Sequence, residues 1–308
     1  MSLYLKYRPG SWDEVRGNEE TVSVLKGMLA DRNTCPHSFL LTGPTGCGKT
    51  TVGRLIAKTL DCSGDDFTEV DSADFRGIDT VRDIRTVSQY APRDSSCRVW
   101  LIDEVHKMTN DAQNALLKIL EDTPAHVYFI LATTDPQKLL PTIKGRCSTF
   151  QVKPLTETQM MALLISIARA EGVALPKVVY QQIAQDSLGF SRNAIQVLEQ
   201  VIKVEPEKRL EAAKQYAEQQ SQTIELCRAL FSKTPWKLVA TVLEGLKDQE
   251  PENIRRAVLG YAQAVLLKSD NVLAGYVLQA FSEPYYNVGF PGLVLSCYSV
   301  VKRDEFGQ

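Results

Sequence analysis

Along the first half of this 308-residue chain, short apolar runs alternate with amphipathic stretches. FLL (39–41), FTEV (67–70), VWLI (99–102), VYFILA (127–132) and TFQV (149–152) have the β-branched and aromatic content of strands. VWLI and VYFILA are apolar almost throughout, which fits strands covered on both faces of a parallel sheet. Between them Ala112, Leu116 and Leu120 fall on one stripe of a helix. Strands alternating with helices predict an α/β sandwich with a mostly parallel sheet over residues 1–155.

After Pro154 the strand signal fades. TETQMMALLISIARAEG predicts a helix capped at Thr156 and closed at Gly172, and two more helical patterns follow near 176–187 and 192–203. A break at VEPEK (204–208) opens a last segment of helical pattern, punctuated by Pro235, Pro251, Pro284 and Pro291. The predicted organisation is an α/β domain (1–155), a small helical lid (156–204) and an all-α C-terminal domain (205–308). No internal repeat or low-complexity segment interrupts it.

Composition alters this picture little. Hydrophobic residues at 44% and charged residues at 23% are ordinary for a soluble globular protein. No apolar run approaches the roughly 20 residues that span a bilayer, and MSLYLKYRPG lacks the apolar core of a signal peptide. A cytoplasmic protein is expected. The seven cysteines (35, 47, 62, 97, 147, 227 and 297) are scattered without a CxxC pair. Neither a metal-ligand spacing nor a disulfide framework results, and they read mostly as small core residues. The net charge of −2 leaves nucleic-acid binding to a local basic patch.

The chemistry begins at GPTGCGKT, residues 43–50, between the strand FLL and the helical pattern TVGRLIAKTL. This is the strand–GxxxxGK[ST]–helix context of a phosphate-binding loop. In the loop Gly43, Pro44, Thr45, Gly46, Cys47 and Gly48, the glycines let consecutive backbone N–H groups turn inward around the phosphates, at the positive end of the helix dipole. Lys49 supplies a point charge for the β- and γ-phosphates, Thr50 a hydroxyl for Mg²⁺, and Thr51 continues the helix start. VWLIDEVH supplies the second half: Asp103, ending a buried strand, can hold Mg²⁺ through its water shell, and Glu104 can orient and activate the attacking water. Together they read as a nucleoside triphosphatase. A metal triad of Asp103, Glu104 and His106 is disfavoured because the Asp and the His straddle a strand end; His106, like His37 and His126, reads as a structural residue or a loop contact.

LIDEVHKMTNDAQNALLKILEDTPAHVYFILATTDPQKLLPTIKGRC strongly resembles the ATPase core of bacterial DNA polymerase III clamp-loader subunits of the tau/gamma type. EVDSADFRGIDTVRDI looks like the matching stretch of replication factor C small subunits, and YLKYRPGSWDEVRGNEE is similar to the N-terminal box of both. The resemblance is dense over residues 4–200 and thin beyond. It implies an AAA+ fold and an ATP- and Mg²⁺-dependent ATPase, stimulated by DNA and clamp, that opens a ring-shaped sliding clamp and places it on primer–template DNA. It further implies other loader subunits as partners, in a five-subunit assembly whose collar is the C-terminal domain. By the same resemblance Thr134 falls at the sensor 1 position, and Arg146 where family members carry an arginine finger acting in trans, although Gly145 replaces the usual Ser. Arg192 matches the sensor 2 arginine, and Tyr7, Arg8 and Pro9, with Val15 and Arg16, match the segment near the adenine.

Two departures stand out. Cys62 in TLDC runs directly into the next strand, without the four-cysteine module of the tau/gamma subunits, so no zinc is expected. The sequence also ends at 308, without the extension of tau, as a compact, phage-like loader subunit would. Loaders grip the duplex backbone, for which Arg76, Arg82, Arg85 and Lys107 are the candidates here, although Asp79 and Asp83 interleave and a solvated mixed-charge helix fits as well. VSQYAPRD (87–94) matches the clamp-touching region, with Gln89 and the apolar anchor Tyr90, for which a buried aromatic at a helix end is the alternative. The competing readings are a structural subunit that binds nucleotide without turnover, which would need neither Asp103 nor Glu104, and another AAA+ remodeller such as a branch-migration motor. The latter should carry a C-terminal winged helix, where residues 206–308 offer a helical pattern.

Overall fold

The computed structural model describes residues 2–72, 74, 77–220, 222–232 and 234–303, the side chains of 217–220 and 268 excepted. The chain divides into two compact units, residues 3–159 and 160–308.

Five parallel strands organise the first unit: β1 (Ser38–Thr42), β2 (Phe67–Asp71), β3 (Arg98–Asp103), β4 (Val127–Thr133) and β5 (Ser148–Gln151), in the order β2-β3-β4-β1-β5. The helices are α1 (Leu3–Lys6), α2 (Glu19–Ala30), α3 (Lys49–Thr59), α4 (Ile78–Ser88), α5 (Asn110–Glu121) and α6 (Pro141–Lys144). Successive strand residues face opposite sides. Phe39, Leu41, Leu101, Ile130 and Ala132 join Leu25 and Leu29 of α2 and Val52 and Ile56 of α3 in one core. Leu40, Ile102, Phe129 and Leu131 join Val81 and Ile84 of α4 and Leu116 and Leu120 of α5 in the other. Every residue of β4 is buried, which is why VYFILA shows no alternation. The result is the predicted α/β sandwich.

The second unit contains no strand among its described residues. It consists of α7 (Glu157–Ala170, which starts in the first unit), α8 (Lys177–Asp186), α9 (Ser191–Val201), α10 (Arg209–Gln220), α11 (Gln222–Phe231), α12 (Trp236–Gly245), α13 (Pro251–Lys268), α14 (Val272–Ala280) and α15 (Gly289–Val301). At the head of α7 the Thr156 hydroxyl accepts the Gln159 N–H at 3.2 Å while the Gln159 side chain accepts the Thr156 N–H at 3.0 Å, a reciprocal cap. The prolines mark helix starts: Pro235 precedes α12 and Pro251 opens α13, where a missing N–H costs nothing. Val239, Leu243, Val258, Val277, Phe281 and Leu293 form the core of α11–α15.

A buried polar network fixes the loop that follows α4. Asp66, fully buried, accepts the N–H groups of Arg93 (2.9 Å), Asp94 (2.8 Å) and Ser95 (2.9 Å) and the Arg98 guanidinium at 3.2 Å. Arg98 also donates to the Val87 carbonyl at 2.5 Å, and Trp100 Nε1 to Ser88 Oγ at 3.0 Å. Burial works to raise the Asp66 pKa, but these backbone donors and Arg98 outweigh it and hold the pKa well below the ordinary carboxylate value. A depressed folded-state pKa contributes stability that is complete above the unfolded value near pH 3.9 and is lost as pH falls through the folded one. Asp66→Ala, which leaves Arg98 buried without its partner, should cost about 3 kcal/mol in urea unfolding at pH 7. The gap to wild type should narrow in acid; a loss under 1 kcal/mol would mean that Arg98 is satisfied by its carbonyls alone.

Candidate functional site

The carboxyl ends of β1, β3 and β4 converge on one place, the usual site for a ligand on a parallel sheet. Because β4 lies between β1 and β3, it delivers Thr133 and Thr134 between the loop after β1 and the carboxylates ending β3.

The loop is shaped by glycine. At Gly43, with φ +149°, an added Cβ would sit 2.2 Å from the Val152 carbonyl oxygen, so only glycine lets β1 leave the sheet there. Gly48, at φ +106°, is the N-cap of α3 and offers no capping side chain. Uncapped N–H groups at a helix start favour an anion. Lys49 is only 5% exposed, and its Nζ donates to the carbonyls of Gly43 (2.8 Å) and Pro44 (3.0 Å), which leave its charge uncompensated. A buried cation at a helix start fits a phosphate chain.

The two halves of the motif meet. Thr50 Oγ1 donates to Asp103 Oδ2 at 2.6 Å, and Asp103 Oδ1 accepts the Glu104 N–H at 2.9 Å. A hydroxyl and a carboxylate side by side, both oxygen donors, suit Mg²⁺ completed by water and phosphate oxygens. Glu104 leaves the strand in left-handed backbone geometry, φ 49° and ψ 40°, uncommon for a residue with a side chain. Its carboxylate accepts the Thr134 hydroxyl at 2.9 Å and lies 3.2 Å from His106 Nδ1, which is also 3.0 Å from Thr133 Oγ1. Burial pushes the His106 imidazole pKa down, against the pull of Glu104 and Asp135. His106 therefore faces Glu104 and Thr133 rather than joining a metal triad. The sequence reads this histidine as a structural residue or a loop contact, with no means of naming Thr133 on the neighbouring element as its partner.

The other expected site residues are spread more widely. Tyr7, Arg8, Pro9 and Val15 are half-buried and Arg16 is exposed. Their segment is tied to the end of α3 by Lys58 Nζ to Gly10 O (2.6 Å) and Trp12 Nε1 to Thr59 Oγ1 (2.8 Å). Arg146 donates to the Thr142 carbonyl at 3.0 Å and pairs with Glu121 at the end of α5. Arg192 is the second residue of α9, in the second unit. Arg82 pairs with Asp79 at 2.8 Å, Arg85 and Lys107 are exposed, and Arg76 lies outside the described residues. Gln89 caps α4, and Tyr90 is 66% exposed rather than buried, its carbonyl accepting from His126 Nε2 at 3.0 Å. Six of the seven cysteines are buried and Cys147 is half-buried. Among the described residues no helix is long and apolar enough to cross a membrane, and no group of three or more His, Cys, Asp and Glu is arranged to hold a metal.

The sheet order, the loop and the helical C-terminal region define an AAA+ P-loop fold. The Holliday junction branch-migration motor RuvB of Thermotoga maritima superposes with a TM-score of 0.61 over 77% of this chain and 85% of that one, at 19% identity, a likeness of fold alone. The model of the DNA polymerase III delta subunit family matches residues 65–156. DNA polymerase III subunit gamma/tau of Mycobacterium tuberculosis is 37% identical over 225 residues, and subunit tau of Bacillus subtilis 34% over 223, each alignment covering 66% of this chain and 39% of the relative. Subunit tau of Escherichia coli is 35% identical over 221 residues, 65% of this chain and 34% of that protein. The chain thus spans about two fifths of the length of the first two relatives. These likenesses bear out the resemblance to AAA+ clamp-loader subunits of the DNA polymerase III gamma/tau type.

Proposed function

We propose that the chain is an ATPase motor subunit of a clamp loader, which opens a sliding clamp and loads it onto primer–template DNA. The observation that carries this reading is the joined site, in which Thr50 meets Asp103 at 2.6 Å and Thr134 meets Glu104 at 2.9 Å. A scaffold that only bound nucleotide would need no carboxylate positioned for water. In this reading Lys49 and the N–H groups of the loop bind the phosphates, Thr50 and Asp103 hold Mg²⁺, and Thr51 belongs to the same cradle. Bound Mg²⁺ supplies charge neutralisation for the phosphates. Glu104 orients water and Thr134 contacts the phosphate end of the site, while Arg146 acts on a neighbouring subunit and Arg192 on its own. Tyr7, Arg8, Pro9, Val15 and Arg16 form the adenine side.

Residues 156–204 serve as the lid and 205–308 as the collar of a five-subunit assembly, stimulated by clamp and DNA in the cytoplasm. Arg76, Arg82, Arg85 and Lys107 contact the DNA backbone, and Gln89 and exposed Tyr90 contact the clamp. A branch-migration motor is disfavoured by the absence of any strand among the described residues after 205, where a winged helix needs a hairpin.

The test is purification of the complex from its native source, its intact mass, and Mg²⁺-dependent ATP hydrolysis with and without clamp and primed DNA. A complex holding this chain but no ring-shaped clamp partner would sink the loader reading. Within the cradle, Lys49→Ala should weaken ATP binding about 100-fold, the equivalent of one charge-assisted contact of roughly 3 kcal/mol. Unchanged affinity in calorimetry would take the loop out of the mechanism.

A further inference from the structure

We infer that His106 is a positioning residue for Glu104: its imidazole fixes which oxygen of that carboxylate is offered to water. The inference rests on the proposed role of Glu104 in hydrolysis. Glu104 Oε2 has two neighbours, the Thr134 hydroxyl at 2.9 Å and His106 Nδ1 at 3.2 Å. An ionised carboxylate only accepts hydrogen bonds. Were Nδ1 unprotonated, two acceptors would face each other at 3.2 Å, so the proton belongs on Nδ1. There it points to Thr133 Oγ1 at 3.0 Å, which also accepts the Asp135 N–H at 3.0 Å, while its positive edge lies 3.2 Å from Glu104 Oε2. The His106 side chain is 10% exposed and that of Glu104 20%, so little water competes for these contacts.

The backbone explains how residues two apart come to face each other. Glu104, in left-handed geometry, closes a turn in which the Lys107 N–H donates to its carbonyl at 2.8 Å. The 3-10 turn Val105–Lys107 then buries Val105 and swings His106 back over Glu104. A single donor would leave the carboxylate free to pivot about one hydrogen bond. The Thr134 hydroxyl together with the positive edge of the His106 ring, 3.2 Å away, holds Oε2 on this side and leaves Oε1 as the acceptor. His106 keeps its proton throughout; its work is orientation.

Two measurements on the full chain and its assembly test this. Long-range ¹H–¹⁵N spectra of the chain without nucleotide should show His106 as the Nδ1–H tautomer in the wild type, a preference lost in Glu104→Ala. In the assembled complex His106→Phe, which keeps a ring but no donor, should lower kcat about 10–100-fold, the usual cost of losing an outer partner of a catalytic group, with ATP affinity within about twofold of wild type. His106→Asn, whose amide nitrogen reaches the Nδ1 position, should recover most of that loss; a purely packing role would be filled better by Phe. An Nε2–H tautomer in the wild type, or full turnover in His106→Phe, overturns the inference. If the wild-type assembly hydrolyses no ATP, the proposed function fails on its own, and the tautomer alone upholds or overturns the His106–Glu104 pairing.

Discussion

Glu104→Gln should bind ATP as the wild type does and hydrolyse it about 10³-fold more slowly, the scale on which a positioned acid or base contributes. The substitution preserves what surrounds the residue. A glutamine carbonyl can still accept the Thr134 hydroxyl that now lies 2.9 Å from Oε2. Thr50 and Asp103 keep their 2.6 Å contact, so the groups proposed to hold Mg²⁺ are untouched. The loss is confined to the negative charge proposed to activate water. Binding should therefore stay level in calorimetry while turnover collapses, and the mutant assembly should remain trapped on clamp and DNA. A mutant turning over within about tenfold of wild type would show that another group activates the water.

The readability of this site in the sequence followed from how local each element is. GPTGCGKT and LIDEVH could be read because the chemistry lies in contiguous backbone, a glycine turn running into a helix and a strand ending in carboxylates. The strands could be read because burial on both faces suppresses alternation, as in β4, where every residue is buried. Contacts between distant segments could not. Asp66 sits in DCSGDDF like any acidic turn residue, and only the pairing of β2 with β3 brings it to Arg98. Nor does composition distinguish Tyr285 from Tyr286: the first is buried with its hydroxyl 2.6 Å from Ser296 Oγ, the second is 42% exposed and meets Arg256 at 2.6 Å. His106 is the instructive case. Its partner Thr133 is 27 residues away, and the contact exists because β4 is inserted between β1 and β3.

Arg146→Ala should leave ATP binding by the isolated chain intact and lower turnover of the assembled complex about 10³-fold, the effect of an arginine supplied to a neighbour's phosphates. The local geometry bears directly on this. Arg146 is paired with Glu121 and donates to the Thr142 carbonyl, so its guanidinium must leave Glu121 to reach another subunit. Both side chains are substantially exposed, 35% and 46%. A pair of that kind is worth at most about 1 kcal/mol, whereas a 10³-fold rate effect corresponds to about 4 kcal/mol. Glu121 would therefore keep the arginine in place without preventing the proposed transfer, and Glu121→Ala should change turnover by no more than a few fold. The decisive arrangement mixes subunits. A chain carrying Lys49→Ala but retaining Arg146 should restore hydrolysis to a neighbour carrying Arg146→Ala only when it stands on the side from which its arginine reaches that neighbour's nucleotide. If the Arg146→Ala chain loses ATP affinity on its own, the arginine serves its own site, and hydrolysis is not coupled to assembly through this residue.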